Sequence, residues 1–209
     1  MAQALLCTEQ WHHRIATEHI LKTCLILIDA QDSFRHRPFY DPATLPAWLA
    51  AQNALVAACA QRGVPIVRVL HVAGPQTAEN PFALASGHVR PIEGLADFTP
   101  AASFQKNRHS ALVGTGLDVW LTQQGIGRLL VSGIRTEQCC ETTARHASDL
   151  GWAVDFCAEA TLTWDMRNAD GSVLSAADIR TRTATVLQDR FAQVVGVDQA
   201  IARLEGAAC

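Results

Sequence analysis

The sequence predicts an α/β protein in which a parallel β-sheet is covered on both faces by helices. Two apolar runs carry that expectation. CLILID (24–29) and RLLVSG (128–133) are short and continuous, and each ends at a polar or glycine position, as central strands buried on both faces do. The third observation is alternation. Strand-like runs and helical segments follow one another along the chain, which calls for right-handed βαβ crossovers and a parallel sheet. In such sheets chemistry collects beyond the carboxyl ends of the strands.

A chain of 209 residues is read as one domain over 1–209, with residues 1–22 an extension that docks on it through Trp11 and Ile15. Apolar residues make up 49 % and charged ones 18 %, a balance that builds a packed core. A net charge of -3, with no basic run, argues against a nucleic-acid partner held by phosphate neutralisation. No uninterrupted apolar run approaches the roughly 18 residues of a membrane span, and MAQALLCTEQ lacks the basic start and long apolar stretch of a signal peptide. The expectation is a cytoplasmic protein with no nucleic-acid and no membrane partner. Seven cysteines, at 7, 24, 59, 139, 140, 157 and 209, are odd in number and show no short repeated spacing. They form neither a disulfide framework nor a zinc motif, and most are expected to pack as small hydrophobes. His12, His13 and His19 read as surface residues, since no Asp, Glu or Cys completes a ligand set with them.

Taken in order, CLILID is the first strand and QDSFRHRPFYDPATLP a loop. A helix opens at Pro46 and runs to about Arg62, with Gly63 closing it and Trp48, Leu55 and Cys59 on its inner face. IVRVLH (66–71) is the second strand. The stretch from Val72 to Ala102 is rich in Pro, Gly, Ser and Thr and has no sustained period, the mark of a functional loop. SFQK (103–106) is a short third strand, and 114–124 a helix closed by Gly125. WAVDFCA (152–158) alternates as a strand, Ser175 and Asp178 cap a helix to Gln188, and FAQVVGV (191–197) is the last strand.

The stretch from Arg128 to Gly151 organises the rest: a strand, a tight turn and a helix whose first turn holds Cys139 and Cys140. The free N–H groups and dipole of a helix N-terminus favour a thiolate. Stepping 100° per residue puts Cys140, Thr143, Ala144, Ala147, Leu150 and Gly151 in one sector, with Cys140 near its centre and Cys139 just outside. Cys140 is therefore the core residue and Cys139 the candidate nucleophile. Asp29 ends the first strand and Cys139 follows the fourth, so both belong to the same rim of the sheet.

Three motifs in order, LILIDAQDSF, then K106-NRHSALVGTGLDVWL, then GIRTEQCCETTARHA, resemble the isochorismatase-like cysteine hydrolase superfamily, over about Cys24 to Val197. The resemblance implies a three-layer α/β/α sandwich with a six-stranded parallel sheet of Rossmann-like topology. It implies a catalytic triad of Cys139, Asp29 and Lys106. It places an oxyanion against the backbone N–H groups of Arg135 and Cys139, with a cis bond between Ile134 and Arg135. It also implies a homo-oligomer, dimer or tetramer. The chemistry suits these groups: a thiol attacks a small amide or ureide to give a thioester, Asp29 handles the proton, and Lys106 supplies positive charge. Phe34 and Trp164 are candidates for the substrate-binding wall or for simple packing. The Arg135 side chain either stays outside, or faces the site or a neighbouring subunit and binds a carboxylate. The chain has no Asp-x-His, the metal motif of nicotinamidase-type members, so no metal and no cofactor is expected. The alternatives are a catalytically silent binding or scaffold protein on the same fold and a metal-dependent nicotinamidase-like member. Family substrates range over ureido acids, carbamoyl amino acids, biuret, maleamate and oxamate, and the sequence does not choose among them.

Overall fold

The computed structural model describes residues 21–204; Trp11, Ile15, the three N-terminal histidines, Cys7 and Cys209 lie outside them. Strand β1 (Thr23–Ile28) is buried along its whole length. The Asp41 carboxylate then caps a single 3₁₀ turn, accepting from Ala43 N, and the chain enters helix α1 (Leu45–Gln61). Trp48, Leu55, Val56 and Cys59 bury on the sheet, and the Trp48 indole donates to Ala160 O at 3.0 Å. By length and composition Pro42–Gln61 is apolar enough to cross a membrane, with a mean hydropathy of 1.2. A search for uninterrupted apolar runs passes over it because Gln52 and Asn53 break the run. Much of the score comes from alanines, of which Ala47, Ala50, Ala57 and Ala60 are exposed on the outer face of a helix seated on the sheet.

Strand β2 (Ile66–His71) and strand β3 (Ala102–Lys106) flank the long segment, which holds one 3₁₀ turn at Leu84–Ser86 and is otherwise irregular. Helix α2 (Leu117–Gln123) starts later than the sequence predicts, because Gly114 and Gly116 both adopt positive φ and interrupt the helical path. Strand β4 (Arg128–Ile134) leads through a widened turn, Thr136–Cys140, into helix α3 (Glu141–Asp149). Strand β5 (Ala153–Leu162) runs four residues past the predicted end. A register shift between Val131 and Gly133 lets the end of β4 pair with Thr161 and Leu162 beyond the exposed Glu159. A small exposed hairpin of β6 (Met166–Arg167) and β7 (Val173–Leu174) follows. Helix α4 (Ala176–Leu187) is capped by Ser175, whose hydroxyl accepts from Asp178 N. The last predicted strand is shorter, β8 (Gln193–Val195), because the chain turns into helix α5 (Val197–Leu204). Its Val197, Ala200, Ile201 and Leu204 repeat at helical spacing against the core.

The six main strands are all parallel, in the order β3-β2-β1-β4-β5-β8. Alternate β1 residues feed two apolar layers: Leu25 and Leu27 face α1 and α5, while Cys24, Ile26 and Ile28 face α2 and α3. This is the three-layer α/β/α sandwich. The chain builds outward from β1 to β3 and then returns to β4 on the other side of β1. The crevice between β1 and β4 is thus the switch point where open parallel sheets bind ligands. Gly133 makes the close approach there possible. It pairs with Ile28, its φ is 126°, and a Cβ on it would lie 1.9 Å from Ile28 O.

On α3 the predicted inner face holds for Cys140, Thr143, Ala144 and Ala147, all 0 % exposed. Leu150 is a correction. The helix ends at Asp149, and Gly151 (φ 97°) turns the chain, leaving the Leu150 side chain in solvent.

Candidate active site

Strand ends deliver the chemistry. Asp29 is the residue after β1, with φ 50°, and Lys106 is the last residue of β3. Cys139 sits in the widened turn after β4, where Cys140 N reaches back to Arg135 O at 3.1 Å. The Ile134–Arg135 peptide is cis. Below the turn, the Thr143 hydroxyl donates to Cys139 O at 2.6 Å and accepts from Ala111 N at 2.9 Å. This ties the cysteine to the segment after β3.

Lys106 Nζ is the hub. It lies 2.7 Å from Asp29 Oδ2, 3.2 Å from Cys139 Sγ and 2.9 Å from His71 Nδ1, and it donates to Arg108 O at 3.1 Å. Both the Asp29 and Lys106 side chains are 0 % exposed. A buried ion pair so placed keeps both charges only because each holds the other. Burial alone pulls Lys106 toward neutrality, but Asp29 and Cys139 more than reverse that, and its pKa is raised. Burial raises that of Asp29, with Lys106 opposing.

Cys139 differs from the expectation of a ready thiolate. Burial and the neighbouring Asp29 carboxylate push its thiol up to about 12, against the pull of Lys106. The resting cleft therefore holds a neutral thiol beside a buried carboxylate. Cys140 is fully buried and its pKa lies well above its ordinary value, as suits a core thiol. Burial, then Lys106 and His109, push His71 down to about 4, so it is neutral near pH 7. Its Nδ1 accepts from the Lys106 ammonium, which leaves the ring proton on Nε2.

Asp29, His71 and Cys139 floor a cleft of about 430 Å³. Phe34, Phe39 and Phe82 make its aromatic wall, and Arg37, His109, Arg135 and Gln138 contribute polar groups. His109 Nδ1 lies 3.7 Å from Cys139 Sγ. Of the residues singled out in the sequence, Phe34 lines the cleft. Trp164 does not: it is buried behind the wall, stacked on Phe34 and Phe39, with its indole donating to Thr44 Oγ1. The Arg135 side chain reaches the cleft but is already engaged. It pairs with Glu137 at 3.1 Å, donates to Thr163 Oγ1 and Trp164 O, and lies over the Phe39 ring.

Sequence reasoning passed over Arg37, Phe39, Phe82 and His109, whereas His71, at the end of the second strand, reads in the sequence as a pocket or core residue rather than a metal ligand. It also passed over Gln31, in the LILIDAQDSF motif. That side chain clamps the end of β2, donating to His71 O at 3.0 Å and accepting from His71 N at 2.7 Å. Asp32 fastens the neighbouring loop, since its carboxylate takes Arg90 at 3.0 Å and Arg35 at 3.5 Å. Burial works against the Asp32 charge, but these arginines outweigh it and its pKa is lowered.

Two groups among the described residues bring three potential metal ligands within 4.8 Å of one another: Asp29, His71 and Cys139, and Asp32, His36 and His88. Neither arrangement fits a metal ion. In the first, the Lys106 ammonium contacts all three ligand atoms and fills the place a cation would take. In the second, two arginines already neutralise the carboxylate.

The sheet order and the cleft at its switch point define a three-layer α/β/α protein with a doubly wound parallel sheet. The chain belongs to the isochorismatase family, whose isochorismatase domain model matches residues 23–191. It is 25 % identical over 185 residues to YrdC, an uncharacterized isochorismatase family protein of Bacillus subtilis (strain 168), covering 86 % of this chain and 95 % of that one. A candidate isochorismatase from Burkholderia xenovorans LB400 superposes with a TM-score of 0.80 at 30 % identity, over 90 % of each chain. A cysteine hydrolase from Pseudomonas syringae pv. phaseolicola 1448A shares the fold, with a TM-score of 0.79 at 23 % identity over 90 % of this chain and 95 % of that one.

Proposed function

We propose that the protein hydrolyses a C–N bond of a small amide, ureide or carbamoyl compound through a thioester on Cys139. The observation that carries this reading is that Lys106 Nζ lies 2.7 Å from the fully buried Asp29 carboxyl and 3.2 Å from Cys139 Sγ, so that one amine bridges acid and thiol. A carboxylate whose pKa burial has raised is a stronger base than an ordinary one. As the substrate carbonyl arrives, Asp29 takes the thiol proton and the sulfur attacks the carbonyl carbon. The Lys106 charge offsets the negative charge that grows on sulfur. The oxyanion rests against the Arg135 and Cys139 N–H groups. Asp29 then gives its proton to the departing nitrogen, the C–N bond breaks and the thioester remains. In the second half, Asp29 deprotonates a water that attacks the thioester. The C–S bond breaks, the acid leaves, and the proton held on Asp29 returns to sulfur, which restores the carboxylate and the thiol.

Cys139→Ala should lower turnover at least ~10³-fold, whereas Cys140→Ala should leave turnover close to that of the parent. Incubation with a panel of small amides and ureides should add an acyl mass to the peptide containing Cys139. Comparable turnover in the Cys139→Ala protein would sink the proposal.

A further inference from the structure

One donor on the floor of the cleft is held rigidly and meets nothing. His71 ends β2, and the Gln31 side chain takes both its C=O and its N–H, at 3.0 and 2.7 Å. Its ring stands edge-on to Phe82, with centroids 5.8 Å apart and planes at 82°. The Lys106 ammonium lies 2.9 Å from Nδ1. An ammonium has only protons to give, so Nδ1 accepts and the ring carries its own hydrogen on Nε2. Among the described residues no acceptor meets Nε2, and the atom is not sealed inside the protein. Backbone, ring plane and tautomer are all fixed, and what they present is an N–H.

That N–H stands beside the chemistry. A His71 ring nitrogen, an Asp29 carboxylate oxygen and Cys139 Sγ lie within 4.8 Å of one another, and His71 lines the cleft. A molecule whose carbonyl carbon reaches the sulfur therefore brings its next atoms past the imidazole. The other polar groups of the cleft differ. Arg135 and Asn80 donate to protein acceptors, and Arg37 and His109 stand exposed. The Gln138 amide, unpaired among the described residues, can turn either its donor or its acceptor to the cleft. His71 offers a donor alone. Burial, with Lys106 and His109, keeps its ring neutral near pH 7. A neutral donor among aromatic rings suits a neutral acceptor, because a hydrogen bond gains strength where little water competes.

We infer that His71 donates its Nε2 hydrogen to an uncharged acceptor atom of the substrate, just beyond the carbonyl that Cys139 attacks. His71 is then a specificity-determining residue of the hydrolysis proposed above, and the inference rests on that reading.

The test uses acetoacetamide and butyramide, which share one carbon chain and differ only in the ketone oxygen beyond the amide carbonyl. In isotope-labelled Cys139→Ala protein, which binds without turnover, the His71 Nε2–H resonance should shift on adding acetoacetamide and stay in place with butyramide. In the parent, kcat/KM for acetoacetamide should exceed that for butyramide by about tenfold, the weight of one hydrogen bond. Two variants divide the ring. His71→Asn keeps an amide oxygen where Nδ1 accepts from Lys106 but removes the outer donor, so it should bring the ratio near one, chiefly through KM. His71→Gln places an amide nitrogen where Nε2 stands, so it should retain most of the preference while lowering kcat for both amides. If His71 only braces Lys106, the preference is indifferent to both variants and only His71→Gln loses turnover. A ratio unmoved by His71→Asn, or an Nε2–H resonance that ignores acetoacetamide, would overturn the inference while an acyl mass on Cys139 still upheld the hydrolase. Absence of an acyl mass with every small amide and ureide would overturn the hydrolase reading, and the resonance in the Cys139→Ala protein would still decide whether His71 meets the acceptor.

Discussion

Replacing Lys106 by Met tests the centre of the site. The substitution keeps most of the side-chain volume and removes one charge from a fully buried pair. At 2.7 Å, and at the effective dielectric of about 20 that suits protein sites, the attraction to Asp29 is about 6 kcal/mol. If only a third of this is lost after relaxation, Asp29 rises by roughly 1.5 pH units, since one unit is about 1.4 kcal/mol. Stability should fall by about 3–5 kcal/mol, because one partner of a buried pair is left alone. The assay is the rate of Cys139 alkylation by iodoacetamide as a function of pH, with the labelled site read by mass spectrometry, alongside urea unfolding. The acid limb of the parent profile reports ionisation of Asp29, which already lies above the ordinary carboxylate value of 3.8. In Lys106→Met that limb should move up by at least about 1.5 units, with slower labelling at pH 7. An acid limb at the same pH, with stability changed by less than about 1 kcal/mol, would refute the account of Lys106 as hub.

Three further outcomes follow from other parts of the structure. His71 titrates near 4 in the folded protein against 6.5 unfolded, so between those values the unfolded chain takes up a proton that the native state refuses. Stability should decline as pH falls through this window, by up to about 3 kcal/mol, and His71→Asn should flatten the decline in urea midpoints measured from pH 7 to 4.5; equal slopes would count against the buried neutral imidazole. Gly133→Ala should cost more than about 4 kcal/mol or prevent folding, because its Cβ would collide with the Ile28 carbonyl; a variant within about 1 kcal/mol of the parent would mean that β1 and β4 can move apart. Glu141 is buried at the start of α3 and accepts from Arg145, Arg182 and Thr183. Glu141→Ala should lower stability by about 2 kcal/mol, or Tm by about 4–8 °C in calorimetry, and an unchanged Tm would show the α3–α4 tie to be without weight.

What could be read from the sequence was whatever one-dimensional pattern encodes. β1 and β4 were legible because central parallel strands are apolar on both faces. Cys139 and Cys140 could be separated because a helix repeats at a fixed angle. Lys106 and the cis bond became legible only through motif resemblance, since one lysine in a polar stretch carries no local signal. The aromatic wall was not legible. Phe39 and Phe82 lie in segments without period, and their approach to the cleft depends on contacts distant in sequence, such as those of Gln31 with His71 and of Asp32 with Arg90. Trp164 stayed open between wall and packing because a bulky residue in a loop after a strand reads alike whether it lines a cavity or backs it. The resting state of Cys139 needed three-dimensional distances, because the helix terminus that favours a thiolate is outweighed by burial and by a carboxylate from the far end of the chain. α5 was missed because a strand-like run, FAQVVGV, leads straight into it.

The register between β1 and β4 has a consequence for how such a protein can change. Asp29 directly follows β1 and Cys139 lies in the turn that follows β4, and Ile28 and Gly133 are directly paired at the ends of those strands. The two segments that carry the reacting groups therefore spring from adjacent strands, whose spacing is about 4.8 Å in any sheet. The segments around residues 34–39 and 72–101, which line the mouth of the cleft, lie outside these strands. Mutation, insertion or transplantation in those segments can retune what enters the cleft while the reacting atoms keep their positions. The molecule thus separates a fixed chemical head from an exchangeable mouthpiece, and redesign for new substrates belongs in the second.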